Sequence, residues 1–295
     1  MSTRPKPVQT TLFEPAASSM ATAPITVDGV VVREVSCKTV LNRSGPTDFS
    51  FNCYTGCTHG CVYCYARFMQ RFHPHEEPWG GFVDPKVNAV DVLRRQLKRT
   101  PPGTVFTCSA CDGWQPLERQ HELTRRCCQL LISAGFELHI LTKSDLVLRD
   151  LDILAAGNVS LGVTITTPDE RLAKLWEPKA SSVAARLEVL RRAKQAGITT
   201  TIMFGPLLPG LSDTDAALER LFAMAADVGV DRVWADALNA RPKVWPSVQE
   251  LVQHHWPQLL GLYRQVLFDT EYREAYCGAL DERIRKTAEK VGMPI

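Results

Sequence analysis

The chain has 295 residues, of which 45% are hydrophobic and 22% charged, and its formal net charge is +2. This composition is that of an ordinary globular protein, the near-neutral charge does not favour a dedicated nucleic-acid-binding protein, and no stretch reaches the roughly 20 apolar residues of a membrane span. Residues 1–27 also lack the apolar segment of a secretory signal, so we expect a cytoplasmic protein in which metal binding, rather than disulfide bonds, accounts for the ten cysteines.

The first 25 residues are rich in proline, serine, threonine and alanine and show no periodicity, which predicts a mobile arm. Strands and helices then alternate along the chain. Short apolar runs predict strands at 49–54, 104–108, 137–142, 159–166, 199–204 and 230–235. Apolar residues at helical spacing, several of them followed by glycine or proline, predict helices at 62–70, 87–99, 118–134, 146–156, 182–196 and 213–228.

Six strand–helix units with short connections indicate a parallel sheet, and six are too few for the closed barrel of eight. We therefore expect one α/β unit at residues 26–240. Residues 241–295 are predicted to be mostly helical and to pack on that unit as an extension. Because ligands of parallel α/β proteins bind at the carboxyl ends of the strands, the loop after the first strand is expected to lie at the site.

Three cysteines in that loop carry the clearest chemical signal, in the run Cys57-Thr-His-Gly-Cys61-Val-Tyr-Cys64. The spacing places Cys61 and Cys64 on one face of the predicted helix, with Cys57 reaching in from the loop. Three thiolates can bind three irons of a 4Fe–4S cluster. Because such clusters are normally held by four cysteines, the fourth iron would be open to chemistry.

Two other uses of these cysteines stay open. An iron–sulfur protein could sense redox state or transfer electrons without further chemistry. A structural zinc module would need a fourth ligand, for which Cys53, His59 and His73 are available, but the paired half-sites typical of zinc are missing from the sequence.

The spacing Cys-x3-Cys-x2-Cys, with an aromatic residue before the last cysteine, resembles the radical S-adenosylmethionine (radical SAM) superfamily. The longer run Phe51-Asn-Cys-Tyr-Thr-Gly-Cys57-Thr-His-Gly-Cys61-Val-Tyr-Cys64-Tyr-Ala-Arg67 is similar to the spore photoproduct lyase-like branch of that superfamily. The resemblance implies a partial (β/α)6 barrel and a 4Fe–4S cluster on Cys57, Cys61 and Cys64, whose open iron binds S-adenosylmethionine (SAM).

The resemblance also implies an enzyme. The reduced cluster would donate an electron to SAM, and the resulting 5′-deoxyadenosyl radical would abstract hydrogen from a substrate, with an external donor such as flavodoxin or ferredoxin supplying the electrons. The name of the branch suggests a DNA lesion as substrate, although DNA docking favours a more basic protein than this one. The residues leave a tRNA, a protein or a small molecule open as well.

Two segments at later strand ends also resemble the branch. Asp112-Gly-Trp-Gln-Pro-Leu-Glu118 is similar to its Asp-x-Tyr-Gln-Pro-x-Glu segment, with tryptophan replacing tyrosine. In spore photoproduct lyases a cysteine near this strand end donates hydrogen to the product radical. Cys111 suits that role better than Cys108, and the alternative for either is a small buried residue. Lys143, in Leu-Thr-Lys-Ser, corresponds to a lysine that approaches the ribose or carboxylate of SAM, or it is a solvated strand-end lysine.

Four more residues complete the predicted site. Thr164 is expected to offer its hydroxyl to the ribose, Met203 to flank adenine by apolar contact, and Tyr63 to contact adenine beside the last cysteine. Tyr65 is linked to radical relay in the family. Ordinary strand threonines and packing aromatics are the alternative interpretations, and the histidines of the proline-rich run at 72–78 are assigned no role.

Overall fold

The computed structural model describes residues 24–239 and 243–293, so residues 1–23 of the predicted arm lie outside the described part of the chain. The strands are β1 (Ile25–Val27), β2 (Val30–Val32), β3 (Leu41–Arg43), β4 (Phe49–Phe51), β5 (Tyr54–Thr55), β6 (Phe82–Pro85), β7 (Thr104–Thr107), β8 (Glu137–Thr142), β9 (Val159–Thr164), β10 (Thr199–Leu207) and β11 (Arg232–Ala237).

The α-helices are α1 (Ala89–Leu97), α2 (Glu118–His121), α3 (Leu123–Ser133), α4 (Leu151–Leu154), α5 (Glu170–Trp176), α6 (Val183–Gln195), α7 (Asp215–Val228), α8 (Trp245–His255), α9 (Leu260–Phe268) and α10 (Thr270–Val291). Shorter 3-10 helices span Tyr65–Arg71, Asp145–Asp150 and Pro257–Leu259. Among the described residues, no helix combines the length and the apolar character needed to cross a membrane.

Seven strands form the main sheet, in the order β11-β10-β9-β8-β7-β4-β3. The six from β4 to β11 run parallel, and β3 joins the edge antiparallel to β4. Each parallel strand is added beside the preceding one, so successive crossovers wind in one direction, as in a barrel. Within the described residues β3 and β11 do not pair with each other, so the sheet stays open. The predicted partial (β/α)6 barrel is confirmed.

Alternation along the strands decides which face of the sheet the helices cover. Leu138 and Ile140 of β8 are buried in the same hydrophobic cluster as Leu131 of α3, whereas His139 between them is only half-buried. Successive side chains of a strand point to opposite faces. The helices therefore pack on one face of β8, and the other face of this strand carries the half-buried Glu137, His139 and Leu141.

The C-terminal helices pack onto this core. Leu280 and Ile284 of α10 belong to the main hydrophobic cluster. Tyr263 of α9 belongs to a second cluster that also contains Cys61 and Trp176. The C-terminal segment thus supports the cysteine loop from one side. Residues 240–242, at the proposed boundary of the extension, lie outside the described part of the chain.

A second, smaller sheet, in the order β1-β2-β6-β5, frames the cysteine loop and was not predicted. Asp28 and Gly29 connect β1 to β2 and both have positive φ, the hairpin conformation that Asp-Gly favours. Strand β5 ends at Thr55, two residues before Cys57, and pairs with β6. The cysteine loop therefore starts from the small sheet and not directly from a barrel strand.

The predicted helix at 62–70 is wrong around the cysteines. Cys61 and Cys64 lie in a turn that precedes the 3-10 helix Tyr65–Arg71, so they do not share a helix face. Cys64 has extended backbone angles (φ −62°, ψ 116°), and its N–H donates to the Cys61 carbonyl at 3.2 Å. The turn brings the two residues together without a helical repeat.

Three other predicted elements are divided differently. The strand at 49–54 is in fact β4 and β5, which belong to different sheets. The helix at 118–134 is interrupted at Glu122, whose φ of 48° separates α2 from α3. The helix at 146–156 begins with the 3-10 turn Asp145–Asp150 before α4.

Candidate active site

The three cysteines of the motif are distributed over two adjoining hydrophobic clusters. Cys57 packs in a small cluster with Ala66, Trp79 and Phe82, which we call the Cys57 cluster. Cys61 lies in the C-terminal cluster described above, and the partly buried Cys64 packs against both clusters. Cys64 therefore packs against the residues around Cys57 and also against those around Cys61.

Burial dominates the electrostatics of the three thiols. It raises the pKa of Cys57, with the nearby Asp112 carboxylate adding to the rise. It also raises the pKa of Cys61 to about 12 and that of Cys64 above its ordinary value. Such thiols stay protonated at neutral pH unless a metal replaces the protons. Across residues 24–239 and 243–293, no three His, Cys, Asp or Glu side chains are grouped to hold a single metal ion.

Two buried N–H donors without partners in the described part of the chain lie near these thiols. Within the described residues, the indole Nε1 of Trp79 and the Nε of Arg67 are buried and have no hydrogen-bond acceptor. Arg67 is anchored beside the motif, since its Nη2 donates to the Cys61 carbonyl at 3.2 Å. Unsatisfied buried donors are rare in native proteins. Three thiols with donors around them fit an anionic iron–sulfur cluster, which supplies both metal for the sulfurs and acceptors for the N–H groups.

Glycines let the cysteine loop lie against the segment before β6, backbone to backbone. A Cβ on Gly80 would lie 2.8 Å from the Cα of Gly60, and a Cβ on Gly56 would lie 2.5 Å from the carbonyl oxygen of Phe82. Real Cβ atoms do not approach backbone so closely. The loop can reach its position only because these glycines lack side chains.

We expect Gly80→Ala to lower the free energy of unfolding by about 2–4 kcal/mol, since it adds a backbone clash to a φ of +97°. Gly29→Ala is the matched control, because Gly29 has a φ of +72° but open space around its added Cβ, and it should lose only about 1 kcal/mol. Urea denaturation followed by circular dichroism measures both. Equal losses would contradict the close-packing argument.

Three residues predicted to bind SAM lie at one level of the sheet, two of them at the ends of β8 and β9 and Met203 in the middle of β10. Thr164 on β9 is the register partner of Met203 on β10, and Lys143 directly follows Thr142, which ends β8. The same row continues to Trp234 on β11, the register partner of Met203. We call Lys143, Thr164, Met203 and Trp234 the strand-end row. Trp234 is 55% exposed, and no motif in the sequence singled it out.

Tyr63 is buried in an ionic network beneath the row. Its hydroxyl donates to the Glu177 carboxylate and lies 3.0 Å from the Thr166 hydroxyl. Arg186 pairs with Glu177 at 2.5 Å, and both side chains are almost completely buried. The Lys143 Nζ lies 5.6 Å from the centre of the Tyr63 ring. The network connects Tyr63 to residues more than a hundred positions away: Thr166 after β9, Glu177 after α5 and Arg186 in α6.

Charge balance keeps this network ionised. Burial opposes the charge of Glu177, but Arg186 and Lys143 outweigh it and lower the pKa of Glu177. Burial also opposes the charge of Lys143, but the neighbouring Cys61 and Glu177 raise its pKa above the ordinary value. Lys143 is therefore a cation at neutral pH. Sequence reasoning missed Glu177 and Arg186, which belong to no motif.

The Asp112 carboxylate contacts residues from two other parts of the site. It accepts hydrogen bonds from the Thr142 hydroxyl at 2.7 Å and from the Lys143 N–H at 2.8 Å. It also lies 3.4 Å from the Nδ1 of His59 in the cysteine loop. Asp112 thus holds the loop after β7 against the end of β8 and against the motif.

Cys111 and Tyr65, the predicted radical-transfer residues, lie on the same side of the motif. Cys111 is half-buried and packs against the Cys57 cluster. The Tyr65 ring is 48% exposed, and its hydroxyl donates to the carbonyl of Ser109, two residues before Cys111. Cys108 is buried behind them with a φ of 61°. The structure brings the pair together, while their roles stay predictions.

Comparison with known proteins gives matches across most of the chain. A family model of the radical SAM superfamily matches residues 51–222. An uncharacterized protein of Methanocaldococcus jannaschii is 34% identical over 168 residues, 57% of this chain and 63% of that protein, so the match spans less than two thirds of that relative. An uncharacterized protein of Mycobacterium tuberculosis is 30% identical over 253 residues, 81% of this chain and 74% of that protein. A Pseudomonas phage protein named radical SAM Nα-GlyT isomerase is 21% identical over 246 residues, 80% of this chain and 50% of that protein.

Solved structures show the same fold. Spore photoproduct lyase complexed with dinucleoside spore photoproduct superposes with a TM-score of 0.64 at 16% identity, covering 88% of this chain and 78% of the lyase. A mutant of spore photoproduct lyase with bound AdoMet and dinucleoside spore photoproduct gives a TM-score of 0.64 at 15% identity, covering 89% and 79% of the two chains. At this identity the likeness concerns the fold alone.

Proposed function

The chain belongs to the radical SAM superfamily, and on that basis we propose that it is a radical SAM enzyme in which Cys57, Cys61 and Cys64 hold a 4Fe–4S cluster. When bound, the cluster and SAM supply the difficult chemistry, namely reductive cleavage of SAM to a 5′-deoxyadenosyl radical that abstracts hydrogen from a substrate. The observation that carries the proposal is that the buried Cys57 and Cys61 and the partly buried Cys64 lie in two adjoining clusters, near buried N–H donors without partners among the described residues.

We assign part of the strand-end row to SAM. The Lys143 ammonium, kept charged by its neighbours, is suited to attract the SAM carboxylate. Thr164 offers a hydroxyl for the ribose. Met203 and the ring of Tyr63 offer apolar contacts for adenine. Register pairing supports this assignment, because it brings the strand residues to one level of the barrel mouth.

Cys111 is assigned to hydrogen donation and Tyr65 to radical relay. A thiol suits the first role because its S–H bond is weaker than a C–H bond, so a carbon radical can take its hydrogen. The packing of Cys111 against the Cys57 cluster supports the assignment, as does the anchoring of Tyr65 to the Ser109 carbonyl of the same loop.

The substrate is assigned to the sheet surface next to Met203, where Trp234 is its register partner. Trp234 presents an exposed indole there, and an indole can stack on a planar ring. A spore photoproduct lyase of the same fold is complexed with a dinucleoside photoproduct. We therefore propose a DNA lesion as the first substrate class to assay, with electrons supplied by an external donor such as flavodoxin or ferredoxin.

Anaerobic reconstitution of the cluster, reduction with dithionite and addition of SAM test the proposal. We expect chromatography to show 5′-deoxyadenosine that depends on both dithionite and cluster. A cluster that leaves SAM intact, and whose electron paramagnetic resonance spectrum ignores added SAM, would contradict the proposal. That outcome would favour the alternative, an iron–sulfur redox or sensor protein without SAM cleavage.

A further inference from the structure

The Trp79 ring is buried and packed, but its indole nitrogen has no hydrogen-bond partner among the described residues. Its ring is 6% exposed and packs edge-on against Phe82, with ring centres 5.9 Å apart and planes at 84°. It shares the Cys57 cluster, against which Cys64 packs. Packing uses the ring of Trp79 and not its N–H group. The N–H group is buried without an acceptor among the described residues, so the described fold gives the indole nitrogen no partner.

Cys64, a cysteine of the motif, packs against the cluster that contains Trp79. The Trp79 N–H lies within reach of the Cys64 thiol but completes no hydrogen bond to it. A neutral thiol is a poor acceptor, whereas a metal-bound thiolate carries negative charge and accepts strongly. The orphaned donor is therefore suited to the cluster-bound form of Cys64 and not to the free thiol.

Resting on the proposed function, we propose that the Trp79 indole N–H donates a hydrogen bond to the cluster-bound Cys64 sulfur and thereby raises the reduction potential of the 4Fe–4S cluster. Reduction adds one electron, so the donor stabilises the reduced cluster more than the oxidised one. The buried, weakly polar surroundings strengthen this difference. Arg67 acts in the same direction through its positive charge, since its guanidinium is fixed on the Cys61 carbonyl. Both are positioning residues, because they act through the cysteines.

Trp79→Phe is the sharpest variant, because it removes the N–H and keeps an aromatic ring. We expect the cluster to assemble with the same iron content and its reduction equilibrium to fall about three- to tenfold, which is about 30–60 mV more negative for a one-electron couple. Redox titration without SAM, followed by electron paramagnetic resonance, measures the potential. Arg67→Met should shift the potential in the same direction. The control is Trp245→Phe, whose ring packs on Phe268 and whose replacement should leave the potential unchanged.

A second measurement does not depend on any variant folding. Wild-type protein labelled with ¹⁵N-tryptophan and reduced by dithionite should show a ¹⁵N coupling to the cluster in pulsed electron paramagnetic resonance. Absence of that coupling, or an unchanged potential in Trp79→Phe, would overturn the inference. Failure of the wild type to assemble any cluster would instead overturn the proposed function on which the inference rests.

Discussion

Replacing Cys57, Cys61 or Cys64 singly with alanine is expected to abolish 5′-deoxyadenosine formation, with a loss of more than about 100-fold, and to remove the cluster in the same step. Replacing a residue that hydrogen-bonds to a metal ligand already lowers metal affinity or activity by about 10–100-fold. Loss of a ligand itself should have a larger effect. The cluster would keep two protein ligands instead of three. Iron and sulfide content, the visible absorption spectrum and the chromatographic assay report the two losses independently.

Cys277→Ala provides the matched control for these variants. Cys277 is a half-buried cysteine of α10 that packs against the main hydrophobic cluster, and its replacement should leave cluster content and SAM cleavage unchanged. The same change of residue type is thereby made away from the motif. If any one of the three motif variants kept full cleavage, the ligand assignment would be wrong.

The barrel was predictable because its signals are local. Each of the six parallel strands is an apolar run, and each run can be recognised without its neighbours. The small sheet was not predictable, because strands of two to four residues depend on distant pairing. Phe51 and Tyr54 illustrate this, since they belong to one predicted strand, residues 49–54, that is divided between two different sheets. The Asp28–Gly29 hairpin did carry a local signal.

The candidate site likewise has one part that local sequence predicts and another that it does not. The cysteine motif is contiguous and could be recognised from spacing, while its surroundings are assembled from distant segments. Arg186 lies in a helix with several charged residues, where a solvated position is the ordinary interpretation. Only the tertiary contact with Glu177 reveals that its side chain is 1% exposed. Trp79 likewise belongs to no motif, and its orphaned N–H is visible only in three dimensions.

Arg186→Met is expected to lower the free energy of unfolding by about 3–5 kcal/mol, the usual effect of removing one partner of a buried ion pair. The variant leaves the Glu177 carboxylate buried, with the Tyr63 and Thr166 hydroxyls as its remaining hydrogen-bond partners. Anaerobic urea denaturation followed by circular dichroism measures the loss. Arg191→Met is the matched control on the same helix, because its partners Asp227 and Glu188 are solvent-exposed and such pairs contribute at most about 1 kcal/mol.

The pH dependence of this effect distinguishes lost charge pairing from lost packing. In the wild type the pKa of Glu177 is lowered below its ordinary value of 4.5, so its contribution to stability is present above pH 4.5 and is lost as the pH falls through the lower folded value. In Arg186→Met the main cause of that lowering is gone, and burial instead favours the protonated acid. The stability difference between variant and wild type should therefore be largest at neutral pH. It should start to shrink above pH 4.5, as the variant's buried acid takes up a proton, and shrink further as the pH falls through the lowered wild-type pKa. A difference that stays constant from pH 7 to pH 4 would show that the guanidinium acts through packing alone.

Glu177→Gln combined with Arg186→Met should recover part of the loss, since the double variant buries no unpaired charge.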